Sequence, residues 1–205
     1  MFGRVRIPWF TIALTLLALS AAADERIASA WAYDRASIEV GQLWRLLTGH
    51  LTHWNGDHLL WDALMFFALG AVVEGRSRRA FAAIVLASAV AISAEMWFFQ
   101  PSIAEYRGLS GIDSALFASA AIGFYLDGKK AGDRAICGLA AAGLVGFFAK
   151  VLYELMTGHT LFVDSEGAGF VPMPMAHLIG AAVGSAGVSC GGLRSIWTTT
   201  AARVC

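Results

Sequence analysis

Residues 107–126 read RGLSGIDSALFASAAIGFYL. A polar link ending in Arg107 leads into an apolar run that approaches the ~20 residues needed to cross a bilayer's hydrocarbon core. Ser110 stands at the junction, between Gly108 and Gly111. Glycines on either side let the backbone turn tightly and leave the hydroxyl unshielded. With the run as a helix, Ser110 lies at its N-terminus, where backbone N–H groups lack intrahelical partners and can hold an anion. A serine placed there is either an N-cap or a nucleophile whose oxyanion is met by neighbouring amides. Taken locally, the stretch leaves both readings open.

Outward from this stretch, the composition names the solvent. The 205 residues are 58% hydrophobic and 15% charged, against about 25% charged in soluble domains. That deficit points to lipid and to a single membrane domain over residues 1–205. Formal net charge is zero and no basic block stands out, which argues against nucleic acid as a partner. Cys137, Cys190 and Cys205 are scattered. They lack metal-ligand or disulfide-framework spacing and read as small packing residues.

Six apolar runs read as spans, at about 7–23, 57–73, 80–99, 108–126, 135–156 and 173–191. The first follows Arg4 and Arg6 and precedes SAAADE, so it also resembles a signal peptide. It is read as a helix because a multi-helix bundle needs its own first span. Asp24 to Thr52, with Trp31, Tyr33 and Trp44 among charges and Trp54 just beyond, fits a segment resting at the membrane interface. Arg4, Arg6, Arg76, Arg78, Arg79, Lys129, Lys130, Arg134, Arg194 and Arg203 fall on the side of the N-terminus. Arg26, Arg35, Arg45 and Arg107 fall on the other. The positive-inside rule then puts both termini in the cytoplasm and Ser110 near the outer face. The expected fold is an all-α polytopic bundle. Its charge bias, without an organelle-type presequence, suggests a bacterial inner membrane.

Polar residues inside apolar runs mark sites, because hydrocarbon excludes them. His53 and His58 flank the start of the second span, and Asp62 follows His58 by one helical turn. His177 lies about one turn into the sixth span, at the depth of Ser110. That is the placement a Ser–His dyad needs, the imidazole taking the hydroxyl proton and returning it to the leaving amine. Gly180 and Gly184 give small-xxx-small spacing for close helix packing. His58 with Asp62 could equally be an interhelical hydrogen-bond pair or half of a metal site, for which further ligands are lacking. Lys150 and Glu154, spaced i,i+4, are expected to neutralise each other. Asp113 is read as structural, favoured by the helix dipole.

Three motifs line up with a known family. RLLTGHLTHWNGDHLLWD is similar to the H-x-x-x-x-H-x-x-x-N of the rhomboid intramembrane serine proteases, with His53 and His58 on its histidines and Asp62 where asparagine is usual. GLSG places Ser110 at the nucleophile position. AHLIGAAVG matches H-x-x-G-x-x-x-G, with His177, Gly180 and Gly184. The resemblance covers all six spans. It implies a Ser110–His177 dyad that cleaves transmembrane substrates within or beside their membrane helix, without a cofactor. It also implies an oxyanion hole of His58, Asp62 and the Ser110 amide, supported by His53, Gly108 and Gly111. Water would arrive through a cavity capped by the loop before the sixth helix. The compact chain looks most like the rhombosortase branch, whose substrates are exported proteins with C-terminal Gly-Gly, helix and basic-cluster tails. Two positions depart from the pattern. Asp62, if ionised, accepts rather than donates, so it either orients His58 or donates as the protonated acid. Ser114 stands where many rhomboids carry a tyrosine against the histidine, a place Phe66 or Phe117 would have to fill. The alternative is a catalytically inactive rhomboid-like protein that binds membrane helices as chaperone or adaptor.

Overall fold

The computed structural model describes residues 6–161, 163, 167 and 170–189. A helix lies in each of the six apolar runs: α1 (Trp9–Ala22), α5 (Gly56–Arg76), α6 (Arg78–Phe99), α7 (Ser110–Ala131), α8 (Arg134–Thr157) and α9 (Pro174–Ser189). Between α1 and α5 lie α2 (Glu25–Trp31), β1 (Tyr33–Asp34), α3 (Arg35–Glu39), α4 (Arg45–Thr48) and a 3-10 turn, Gly49–Leu51. A second short strand, β2 (Glu105–Tyr106), pairs antiparallel with β1. The end of the expected sixth span, with Cys190, Cys205, Arg194 and Arg203, lies outside the described residues, as does Arg4.

Local chemistry sets the helix starts. The side chains of Asn55, Ser77 and Asp133 accept from first-turn amides of α5, α6 and α8, satisfying donors that helix geometry leaves orphaned. Buried Glu74 does the same for α1 from a distance. One of its oxygens accepts from Phe10 N at 3.1 Å, and the other from Thr11 N at 2.7 Å and Thr11 Oγ1 at 2.8 Å. This clamps the start of α1 to the end of α5.

The bundle is built around α7, which packs against α5, α6, α8 and α9. Its residues are small or polar along much of its length, and those in contact with neighbours include Gly111, Ala115, Ser119 and Gly123. Among the described residues, three helices are long and apolar enough to cross a membrane: α5, α6 and α8. Helices α1 and Pro174–Val188 of α9 are apolar but shorter. The low hydropathy of α7 follows from its position, since protein rather than lipid surrounds it. Helix α9 lies closest to it. A side chain built on Gly180 or Gly184 would overlap the backbone carbonyl of Gly111 or Ala115, respectively.

The segment from α2 to the 3-10 turn is tied down by half-buried Arg35 and by buried Arg45 and His50. Arg35 donates to Met96 O, Gln100 O and Ile103 O, closing the end of α6. Arg45 donates to Ser29 O and Ala32 O. His50 Nε2 lies 3.1 Å from both Ala89 O and Ser93 Oγ on α6. Val40, Leu43, Trp44 and Leu47 remain exposed on this segment, the apolar surface an interface-resting element would present.

Two outcomes are expected. Gly184→Val should cost about 1–3 kcal/mol, read as a lower unfolding midpoint in detergent, because its branched side chain has no room against α7. Burial pulls His50 down to about 4, below its ordinary value of about 6.5. The folded chain therefore binds fewer protons than the unfolded chain, and stability should fall as pH drops from about 6.5 towards 4. His50→Gln should flatten that slope in pH-dependent thermal denaturation.

Candidate active site

Ser110 is the first residue of α7, and the turn that presents it depends on Gly108. That glycine has φ +140°, a backbone region L-residues rarely adopt, and a Cβ there would lie 3.0 Å from His58 Nε2. The buried Tyr106 hydroxyl donates to Gly108 O at 3.0 Å. Helix α7 has no capping side chain of its own at Leu109. Asp62, reaching over from α5, supplies the cap: its Oδ2 accepts from Leu109 N at 2.9 Å and Ser110 N at 3.1 Å. A carboxylate at a helix N-terminus is favoured by the orphan amides and the helix dipole.

The same oxygen gathers both histidines of α5's leading motif. His58 Nε2 lies at 3.2 Å and His53 Nε2 at 3.3 Å. The two imidazoles meet edge to face, with centroids 5.1 Å apart. Asp62 is thus an acceptor in this arrangement, not a donor. The Ser110 amide, expected to face an oxyanion, is engaged by the carboxylate because that oxygen is the acceptor nearest the helix start. His53 sits in the turn before α5, where burial outweighs the neighbouring carboxylate and lowers its pKa.

His177 comes from α9, whose close approach at Gly180 and Gly184 carries it to α7. Gly111 belongs to the same contact, since a Cβ there would stand 3.1 Å from Ala176 O and 2.6 Å from Ile92 Cδ1. His177 Nε2 lies 3.1 Å from Ser110 Oγ. On the other side of the ring, Nδ1 lies 3.0 Å from Glu154 Oε2 and 3.2 Å from Lys150 Nζ, both on α8. Lys150 also reaches Glu154 Oε1 at 2.9 Å. The expected Lys150–Glu154 pair is present, but it is not self-contained: Glu154, 1% exposed at its side chain, also contacts the histidine. Sequence reasoning missed this partnership. The available clue was depth, because Glu154 lies one turn before the end of α8 that neighbours the starts of α7 and α9.

Neither aromatic considered for the histidine fills that role. Phe66 packs on Phe81, at 6.1 Å between centroids, and Phe117 stacks with Phe147 at 5.7 Å. Ser114 turns its hydroxyl back to Ser110 O at 2.8 Å. Ser110, His177, His58 and Asp113 open onto one cavity of about 740 Å³. Asp113 is buried, and its Oδ1 has no hydrogen-bond partner among the described residues. Phe170 helps wall the cavity, stacked on His58 at 5.0 Å and on Trp54 at 6.1 Å. Arg107 lies over the other end of this stack, its Cζ 5.0 Å from the Trp54 centroid. The expected cap before α9 is described only in part, with Thr160, Leu161, Val163 and Phe170–Met173 on the cavity.

The capping geometry makes a stability prediction independent of activity. Asp62→Ala leaves two buried amides without an acceptor and should cost about 2–3 kcal/mol, whereas Asp62→Asn keeps an acceptor oxygen and should cost about 1 kcal/mol. Thermal unfolding in detergent, with hydrogen exchange at Leu109 and Ser110, reads the difference. Equal losses would remove the capping role.

A search of curated proteins returns no match to the chain. The family comparison does: residues 40–191 match the Rhomboid domain model, a span that contains Ser110, His177 and every residue around them. Members of that family are generally serine intramembrane proteases acting on transmembrane substrates within the bilayer, and some are inactive. With its helical architecture and most of its length matched, the chain belongs to the rhomboid family.

Proposed function

We propose that the chain is an intramembrane serine endopeptidase in which Ser110 is the nucleophile and His177 the general base and acid. The observation that carries this reading is the 3.1 Å approach of Ser110 Oγ to His177 Nε2, at a helix N-terminus that opens onto a cavity. Ser110 Oγ attacks the scissile carbonyl carbon as its proton passes to His177 Nε2. The tetrahedral intermediate then collapses. The C–N bond breaks, and Nε2–H gives its proton to the departing amine. Water attacks the acyl-enzyme with proton transfer to His177, and the ester bond breaks to restore the Ser110 hydroxyl. The oxyanion is placed beside His58, and the Ser110 amide, bonded to Asp62 Oδ2 in this structure, joins it only on turning away from that carboxylate.

The six helices are taken as six spans, with both termini cytoplasmic and the cavity opening toward the periplasmic face of a bacterial inner membrane. The substrate proposed is an exported protein with a C-terminal Gly-Gly, apolar helix and basic cluster, as in the rhombosortase branch. The balance of basic residues supports the orientation.

The test is cleavage in reconstituted vesicles, using one reporter with a Gly-Gly, helix and basic-cluster tail and another with a generic transmembrane helix. Wild type should cut the first, and Ser110→Ala and His177→Ala should each lose at least ~1000-fold in rate. Equal cutting of both reporters would keep the protease and remove the rhombosortase substrate. A wild type that cuts neither reporter, and whose Ser110 fails to label with a fluorophosphonate, would favour the inactive helix-binding relative.

A further inference from the structure

Among the described residues no aromatic ring packs on His177, yet a general base must keep a fixed orientation and tautomer. Its Nδ1 has two neighbours of opposite sign, Glu154 Oε2 at 3.0 Å and Lys150 Nζ at 3.2 Å. One ring nitrogen cannot donate to the first and accept from the second in the same tautomer. If Nδ1 accepts from Lys150, the neutral ring carries its proton on Nε2 and offers Ser110 a donor, leaving the nucleophile's proton nowhere to go. Glu154 Oε2 would then be a buried carboxylate oxygen without that donor. If Nδ1–H donates to Glu154, both oxygens of the carboxylate are satisfied, Oε2 by the histidine and Oε1 by Lys150 at 2.9 Å. Nε2 is then the acceptor that faces the Ser110 hydroxyl. Buried polar groups favour the fully satisfied arrangement.

We infer that Glu154 is a positioning residue for His177. It receives Nδ1–H, fixes the imidazole with Nε2 free to accept the Ser110 proton, and stabilises the imidazolium formed during attack. Lys150 serves it in turn, holding Oε1 so that Oε2 stays on the histidine. Helix α8 thereby supplies by hydrogen bond the orientation that a stacked ring does not. The residues then form a relay of Lys150, Glu154, His177 and Ser110, drawn from three helices. This inference deepens the protease reading and rests on it for its kinetic consequence, but the tautomer it assigns exists whether or not the chain cleaves.

The experiment pairs kinetics with a spectroscopic readout on the full chain. Glu154→Gln and Glu154→Asp are compared with wild type on the cleaved reporter, with kcat and KM separated. The His177 tautomer is read by nitrogen-15 NMR in protein labelled at histidine, with His177→Asn assigning the signal. Glu154→Gln should lower kcat by ~100-fold or more at nearly unchanged KM, Glu154→Asp should recover part of the loss, and the Nδ1–H form seen in wild type should give way in Glu154→Gln. Wild-type kcat in Glu154→Gln, or a wild-type His177 carrying its proton on Nε2, would overturn the assignment. Should Glu154→Gln fail to fold, the neutral pair Lys150→Met with Glu154→Gln replaces it under the same criteria. If wild type cleaves neither reporter and Ser110 does not label with a fluorophosphonate, the protease reading fails by itself. The tautomer then decides the role of Glu154.

Discussion

The close contact of α9 with α7 fixes the distance between Ser110 and His177. The serine and the histidine lie 67 residues apart in sequence, on separate helices. They meet because α9 has no side chain at Gly180 and Gly184, where it lies on the carbonyls of Gly111 and Ala115. In a setting where lipid gives helices little hydrophobic reason to associate, such backbone-to-backbone approach is a main source of packing energy. Added bulk at either glycine would meet the α7 backbone that carries Ser110. The glycine spacing is therefore a ruler for the site as well as a packing device.

Around that contact, the structure handles buried charge by sharing. Asp62 Oδ2 takes in two backbone amides and lies against two histidines. Glu74 serves the start of α1, and Glu154 divides its oxygens between Lys150 and His177. Each carboxylate would be costly in apolar surroundings if left alone. Each instead meets donors that were themselves in want of an acceptor, as at the uncapped N-termini of α1 and α7. A single buried group thus satisfies a helix end and fixes the relation between two helices.

Much of this was legible in the chain. Helices α5, α6 and α8, long and apolar enough to cross a membrane, fall on apolar runs of the length that hydrocarbon thickness demands. Ser110, His177, His58 and Asp62 were legible as polar groups in apolar runs. What the sequence hid was partnership across helices. The i,i+4 spacing of Lys150 and Glu154 suggests a closed ion pair, since spacing along one helix carries no information about what a second helix brings. Asp62 was open to two readings because a carboxylate's partners are set by neighbours such as the Leu109 and Ser110 amides, which approach from 47 and 48 residues away. The Trp54–Phe170–His58 stack was hidden for the same reason, having no periodic pattern to reveal it.

Helix α8 is the least enclosed of the three long apolar helices, with 11% of its apolar window buried against 39% for α6. It exposes Leu139, Val145, Phe148, Leu152 and Met156. Yet it is the helix that touches the far side of His177. A hydrogen bond of 3.0 Å tolerates only a few tenths of an ångström before it weakens, so a tilt moving the end of α8 by about 1 Å would release Nδ1. The Nδ1 partners of the imidazole therefore sit on the least enclosed of these three helices. In a bilayer, thickness and lateral pressure set the tilt of a spanning helix, and any tilt of α8 would be carried to the contacts of His177.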